Sequence, residues 1–170
     1  YGRGRREPAY RRHWNERLGY VGDVPAGAIW VHAASVGEAG LVTPLIRRLK
    51  QAHPHRPLLV TTMTPTGRER IERVFAGDVY CRYMPLDTVG APRRFMRSAR
   101  PRLGVIAETE LWPHLLALEE QTSACGKSLV ERLAIFPRYV QSAEHWMVPD
   151  IRTRVLNAAD GQGFSRSSSW

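Results

Sequence analysis

Ala28-Ile-Trp-Val-His-Ala33 followed by Ala34-Ser-Val-Gly-Glu38 decides how this chain reads. This run, apolar except for His32, follows Pro25 and Gly27, which punctuate the chain ahead of a strand. Leu41, Val42, Leu45, Ile46 and Leu49 then recur at helical spacing. Pro44 leaves two ways to place that helix. It begins at Thr43 with proline in its first position, or it starts earlier and Pro44 kinks it.

The same alternation repeats along the chain. Leu58 to Thr62 reads as a second strand. Thr66-Gly-Arg-Glu69 reads as a capping box, opening a helix that turns Ile71, Val74 and Phe75 inward. Val79 to Met84 is a third predicted strand and Ala91 to Arg97 a short helix with Pro92 near its start. Leu103 to Ala107 is a fourth strand, with a helix expected over Trp112 to Glu119. Strand and helix in alternation imply an α/β fold, a Rossmann-like parallel sheet flanked by helices and joined by right-handed crossovers. The expected strand order is third, second, first, fourth, so the chain reverses direction between the first and fourth strands. Ligands bind in the crevice at that reversal, at the carboxyl ends of the strands.

Two acidic loops fall there. Glu38 follows the first strand, and Glu108-Thr-Glu-Leu-Trp-Pro113 follows the fourth. The topology brings Glu38 and Glu108 to one crevice, beside the hydroxyls of Thr61-Thr-Met-Thr-Pro-Thr66. Two carboxylates in a crevice can divide labour, one accepting a proton and the other holding charge. Equally, acids at helix N-termini complement the helix dipole with no catalytic part. The first strand is not followed by G-x-G-x-x-G, so a dinucleotide cofactor is not expected.

Composition narrows the partners. The 170 residues carry a net charge of +9, with Lys50 and Lys127 the only lysines. The arginine excess suits phosphate or carboxylate, although arginine-rich codon usage gives the same bias. An anionic partner is implied: nucleic acid, phospholipid or a phosphorylated substrate. Arg3, Arg5, Arg6, Arg11, Arg12 and Arg17 outnumber Glu7 and Glu16 in residues 1–17, among Tyr10 and Trp14, with Tyr20 just beyond. Such a segment is a solvated arm or one that faces an anionic lipid surface. Arg93, Arg94, Arg97, Arg100 and Arg102 form a second basic cluster, read first as a solvated helix face and second as a contact with anionic lipid. Cys81 and Cys125 match no metal spacing, and Cys81 reads as a small core residue. His53 and His55 flank Pro54 in an expected solvated loop, and His32 is expected to be hydrogen-bonded near the crevice. No metal is expected. The apolar stretches are too short to span a bilayer.

Trp30-Val-His-Ala-Ala-Ser-Val-Gly-Glu38, Val60-Thr-Thr-Met-Thr-Pro-Thr-Gly67 and Glu108-Thr-Glu-Leu-Trp-Pro113 resemble, in order and spacing, the N-terminal half of the Kdo transferases. Gly4-Arg-Arg-Glu-Pro-Ala-Tyr10 and Glu16-Arg-Leu-Gly19 resemble the stretch after that family's membrane anchor. The resemblance covers roughly residues 4–118. It implies the N-terminal domain of a GT-B glycosyltransferase that moves 3-deoxy-D-manno-octulosonic acid (Kdo) from CMP-Kdo to lipid A precursor without a metal. It implies Glu38 as general base and Glu108 as a transition-state stabiliser. It also implies work at the cytoplasmic face of the inner membrane, against an anionic surface, with no nucleic acid partner. The expected organisation is a basic arm over 1–19, a Rossmann-like acceptor domain over 20–120 and a divergent, partly disordered tail over 121–170. Leu86 stands where the family has tyrosine, and beyond Leu118 the match fades. With the donor half unmatched, the chain is expected to be inactive alone. The competing expectation is a non-catalytic basic α/β module that binds phosphate or nucleic acid. The Ser-Val-Gly-Glu loop separates the two, because a carboxylate serves a hydroxyl-activating enzyme and repels an anionic ligand.

Overall fold

The computed structural model describes residue 10, residues 12–107 and the backbone of residues 132–136. In chain order the elements are α1 (Trp14–Arg17), β1 (Ile29–His32), α2 (Val36–Ala52), β2 (Leu58–Thr62), α3 (Pro65–Phe75), β3 (Tyr80–Tyr83), α4 (Ala91–Ala99), β4 (Leu103–Ala107) and β5 (Arg132–Phe136). The strands form one sheet in the order β3-β2-β1-β4-β5, and every pairing is parallel. The order of the first four strands and the α/β class are those the alternation implies. β5 lies within residues 121–170, the stretch read as a divergent tail, and pairs with β4 from Leu103↔Arg132 to Ala107↔Phe136. The helix expected over Trp112 to Glu119 lies outside the described residues.

β1 is buried at every position, as the middle strand of a sheet covered on both faces must be. Its side chains divide the core. Ile29 and Val31 join Val60, Val105, Val42, Ile46 and Ile71 on the face covered by α2 and α3. Trp30 joins Leu59, Ile106, Phe95 and Met96 on the face covered by α4. The Trp30 and Phe95 rings meet edge to face at 5.2 Å, a favoured aromatic geometry.

The helix starts settle one open alternative, the earlier start of α2, and correct one reading, the cap of α3. α2 begins at Val36, so Pro44 lies inside it. Proline removes the donor that would reach the Gly40 carbonyl, and the preceding Thr43 hydroxyl bonds the Ala39 carbonyl at 2.7 Å. The Thr66/Glu69 capping box does not form. α3 starts two residues earlier, with Thr64 as N-cap and Pro65 in the first turn. Thr64 Oγ1 accepts from Gly67 N–H at 3.1 Å. Pro65 has φ preset for the helix and needs no donor there, which fixes the start ahead of Thr66. His53 also departs from expectation. It is buried, 7% exposed, because the chain turns back on itself as α2 ends, with His53 N–H donating to Leu49 and Arg56 N–H to His53. His55 is exposed.

Two glycine positions fix the approach to β1. Gly19 has φ +93°, and a Cβ there would lie 2.2 Å from the Ala91 carbonyl oxygen. The chain therefore lies directly on the start of α4. Gly27 has φ +81° with open space around it.

Candidate active site at the carboxyl edge of the sheet

The turn from β1 into α2 carries Glu38. Ser35 is extended (φ −114°, ψ 169°) and caps α2, its Oγ accepting from Glu38 N–H at 3.2 Å. In return the Ser35 hydroxyl donates to Glu38 Oε1 at 2.7 Å, and Ala34 N–H donates to Oε2 at 2.8 Å. This is a capping box in which the acid reaches one residue further back than the cap itself. Glu38 is 8% exposed, so its carboxylate is fixed by two donors rather than by solvent. An ionised carboxyl has about four acceptor sites, so two remain after these bonds. The arrangement can orient a carboxylate and still leave it able to take a proton.

The turn from β2 into α3 leans on this one. Ala33 N–H donates to Thr61 at 3.0 Å and Met63 N–H to Ala34 at 3.1 Å, extending the β1–β2 ladder past the strands. Gly67 is buried against Ser35: a Cβ on it would meet Thr64 Oγ1 at 3.0 Å and the Ser35 carbonyl carbon at 3.4 Å.

The segment before β1 is part of the same edge. Glu16 accepts from Arg68 Nη1 at 2.7 Å and from Tyr83 N–H at 2.7 Å. Arg17, counted with the basic arm on sequence, is buried. It donates to the Met63 carbonyl at 3.2 Å and lies 4.1 Å over the Tyr83 ring. Its own carbonyl accepts from Leu86 N–H. Burial pushes the Arg17 pKa down, against the opposing pull of Tyr83, Tyr10 and Glu16. At Arg68 burial acts in the same sense, but Glu72 and Glu16 outweigh it and the pKa rises. Burial also raises that of Tyr83.

On the α4 face a polar knot sits inside the core. Trp30 Nε1 donates to Thr61 Oγ1 at 2.8 Å, and His32 Nδ1 is hydrogen-bonded to the same oxygen at 2.9 Å. His32 is fully buried and hydrogen-bonded near the crevice, as its place at the strand end implies. Cys81 is a core residue whose thiol burial pushes up to about 12. Among the described residues no three His, Cys, Asp or Glu side chains come together as metal ligands. No described helix is long and apolar enough to cross a membrane. Arg93, Arg94, Arg97 and Arg100 are exposed, and Arg94 donates to the Leu18 carbonyl at 2.7 Å.

The structure thus places Glu38 where the topology puts it. Glu108 lies outside the described residues; β4, the strand that leads to it, pairs with β1 through His32↔Ile106. Sequence reasoning missed Glu16 and Arg17 as parts of this edge. The Ser35-x-x-Glu38 spacing was a signal for the capping box, whereas no local pattern pairs Glu16 with residues more than fifty positions away.

A half-Rossmann sheet with a buried acid at the carboxyl end of its central strand has the fold of the N-terminal domain of GT-B glycosyltransferases. Residues 12–125 match the family described as 3-Deoxy-D-manno-octulosonic-acid transferase (kdotransferase), and the chain belongs to that family. The chain is 43% identical over 114 residues to the 3-deoxy-D-manno-octulosonic acid transferase of Haemophilus influenzae, covering 65% of this chain and 27% of that protein. It is 40% identical over 97 residues to the Bordetella pertussis protein of the same name (54% and 22%). It is 36% identical over 105 residues to a probable mitochondrial one of Arabidopsis thaliana (61% and 24%). The chain spans about a quarter of the length of the curated relatives it matches.

Proposed function

We propose that this chain supplies the acceptor-side domain of a Kdo transferase, acting on lipid A precursor with CMP-Kdo as donor. In this reading Glu38 removes the proton from an acceptor sugar hydroxyl. The oxygen attacks the anomeric carbon of Kdo, the new C–O bond forms, and the bond to the phosphate breaks so that CMP leaves. Glu108 stabilises charge in the transition state. The observation that carries the reading is the Glu38 carboxylate, held by Ala34 N–H and the Ser35 hydroxyl at the carboxyl end of the central strand, in a chain of this family. A base must be oriented before it can be effective.

Because these residues match about a quarter of the relatives' length, turnover is proposed to need more than the 170 residues, with the donor held elsewhere. The setting is the cytoplasmic face of the inner membrane, with Arg3, Arg5, Arg6, Arg11 and Arg12 drawn to anionic lipid at about 1 kcal/mol each near the surface. Vesicle flotation should weaken with salt and when these five become Ser; flotation unchanged by both removes the membrane contact.

The catalytic reading is tested by grafting residues 20–118 onto a complete relative and comparing Glu38→Gln with the unsubstituted graft. Glutamine keeps the shape but cannot take the proton, so the single-turnover rate should fall about 10²–10⁴-fold with acceptor binding kept. A near-normal rate with a lowered melting temperature would mean that Glu38 serves only to start its helix.

A further inference from the structure

Arg17, the last residue of α1, is an unusual residue to find buried. It is 6% exposed. Its guanidinium contacts a backbone carbonyl, Met63, and an aromatic ring, Tyr83, and Nε has no hydrogen-bond partner among the described residues. A buried cation is costly unless its contacts are well made. These contacts lie on a path. Arg17 holds the Met63 carbonyl. The Met63 N–H holds the Ala34 carbonyl. The Ala34 N–H holds Glu38 Oε2. The Met63 side chain packs against the core on the α4 face, while its peptide groups are held by Arg17 on one side and by Ala34 on the other.

We propose that Arg17 is a positioning residue for the Glu38 carboxylate, acting through the backbone of Met63 and Ala34. Glu16 serves the same end from the next position, because its bonds to Arg68 Nη1 and Tyr83 N–H seat the dipeptide on α3 and β3. The segment that enters the fold therefore sets the loop that carries the acid. The catalytic meaning of this coupling rests on the reading of Glu38 as base; the coupling itself does not.

Amide hydrogen exchange, read residue by residue by NMR on the 170-residue chain, tests it. In Arg17→Met the Ala34 and Met63 amides should exchange about tenfold or more faster relative to the Val60 and Val105 amides of the sheet, the scale of one hydrogen bond from a charged donor. Arg17→Lys, which keeps charge and reach but not the planar fork, should restore part of that protection. Equal acceleration at Ala34, Met63, Val60 and Val105 would mean that Arg17 only stabilises the fold, and would overturn the proposal. If Arg17→Met does not fold, Arg17→Lys decides alone: selective acceleration at Ala34 and Met63 supports the proposal, and no selective change refutes it. Failure of the base reading appears separately, as a Glu38→Gln graft with full rate and unchanged exchange behaviour at Ala34.

Discussion

Gly19→Ala should be among the most destabilising single-methyl additions available in this domain, and the structure separates its two costs. The first is conformational. At φ +93° an L side chain is strained by about 1–2 kcal/mol. The second is steric. The new Cβ would stand 2.2 Å from the Ala91 carbonyl oxygen, with Phe95 N at 3.0 Å. Both are backbone atoms of α4 that cannot rotate away. Forcing such a methyl into a packed site costs about 1–3 kcal/mol, so the total is about 2–5 kcal/mol. Gly27→Ala provides the control, because Gly27 shares the conformation (φ +81°) and has nothing within 4 Å of the added carbon. It should cost the conformational part alone, about 1–2 kcal/mol. Urea unfolding followed by circular dichroism gives both values from the shift in midpoint at constant slope. Equal losses for the two variants, or a Gly19→Ala loss below that of Gly27→Ala, would show that residues 18–20 do not lie on α4 as described.

Three further outcomes follow from the site and core. Ser35→Ala removes both the cap of α2 and a donor to Glu38, so it should cost about 1–2 kcal/mol in urea unfolding; Thr66→Ala should cost under about 0.5 kcal/mol, since Thr64 is the α3 cap. In a Cys125→Ser background, Cys81 should resist aqueous thiol reagents at pH 8 until the protein unfolds, because burial holds its thiol near 12; rapid labelling of folded protein would contradict its place in the core. The same shift sets a sign for alkaline stability. The folded thiol binds its proton more tightly than the unfolded one, so stability should fall as pH rises from about 9 towards 12, and Cys81→Ala should remove part of that slope.

Legibility followed the range of the interactions. β4, Leu103–Ala107, is readable as a continuous apolar run because it is buried on both faces. The strand order follows from the alternation of elements and the handedness of crossovers. Helix starts were less legible where two hydroxyl residues compete: Thr64 and Thr66 both suit a cap, and Pro65 between them decides for Thr64. At Pro44 the reverse holds, since the apolar spacing on both sides of the proline is maintained by a continuous helix. Glu38 reads as an acid at the switch point, and the Ser35-x-x-Glu38 spacing signals its bonds with Ser35, but the bond from Ala34 N–H turns on a backbone bend that no such spacing displays. Glu16 and Arg17 read as members of a charged arm. Their partners lie 46 to 67 residues away, and no periodicity encodes a pairing at that distance.

α3 and α4 both end on residues with left-handed backbone, Ala76 at φ 46° and Arg100 at φ 38°. Glycine is the usual occupant of such a position. Both residues lie at the end of the domain opposite Glu38, where the chain turns back towards the amino ends of β3 and β4. The domain therefore holds unused stability in a place remote from its chemistry: Ala76→Gly and Arg100→Gly should each add about 0.5–1 kcal/mol, the relief of strain exceeding the entropy that glycine brings to the unfolded chain. Such reserve has an experimental use. Substitutions at Ser35, Glu38 or Arg17 that would otherwise unfold the protein could be carried in the reinforced background, so that a lost function is read as lost chemistry and not as lost protein.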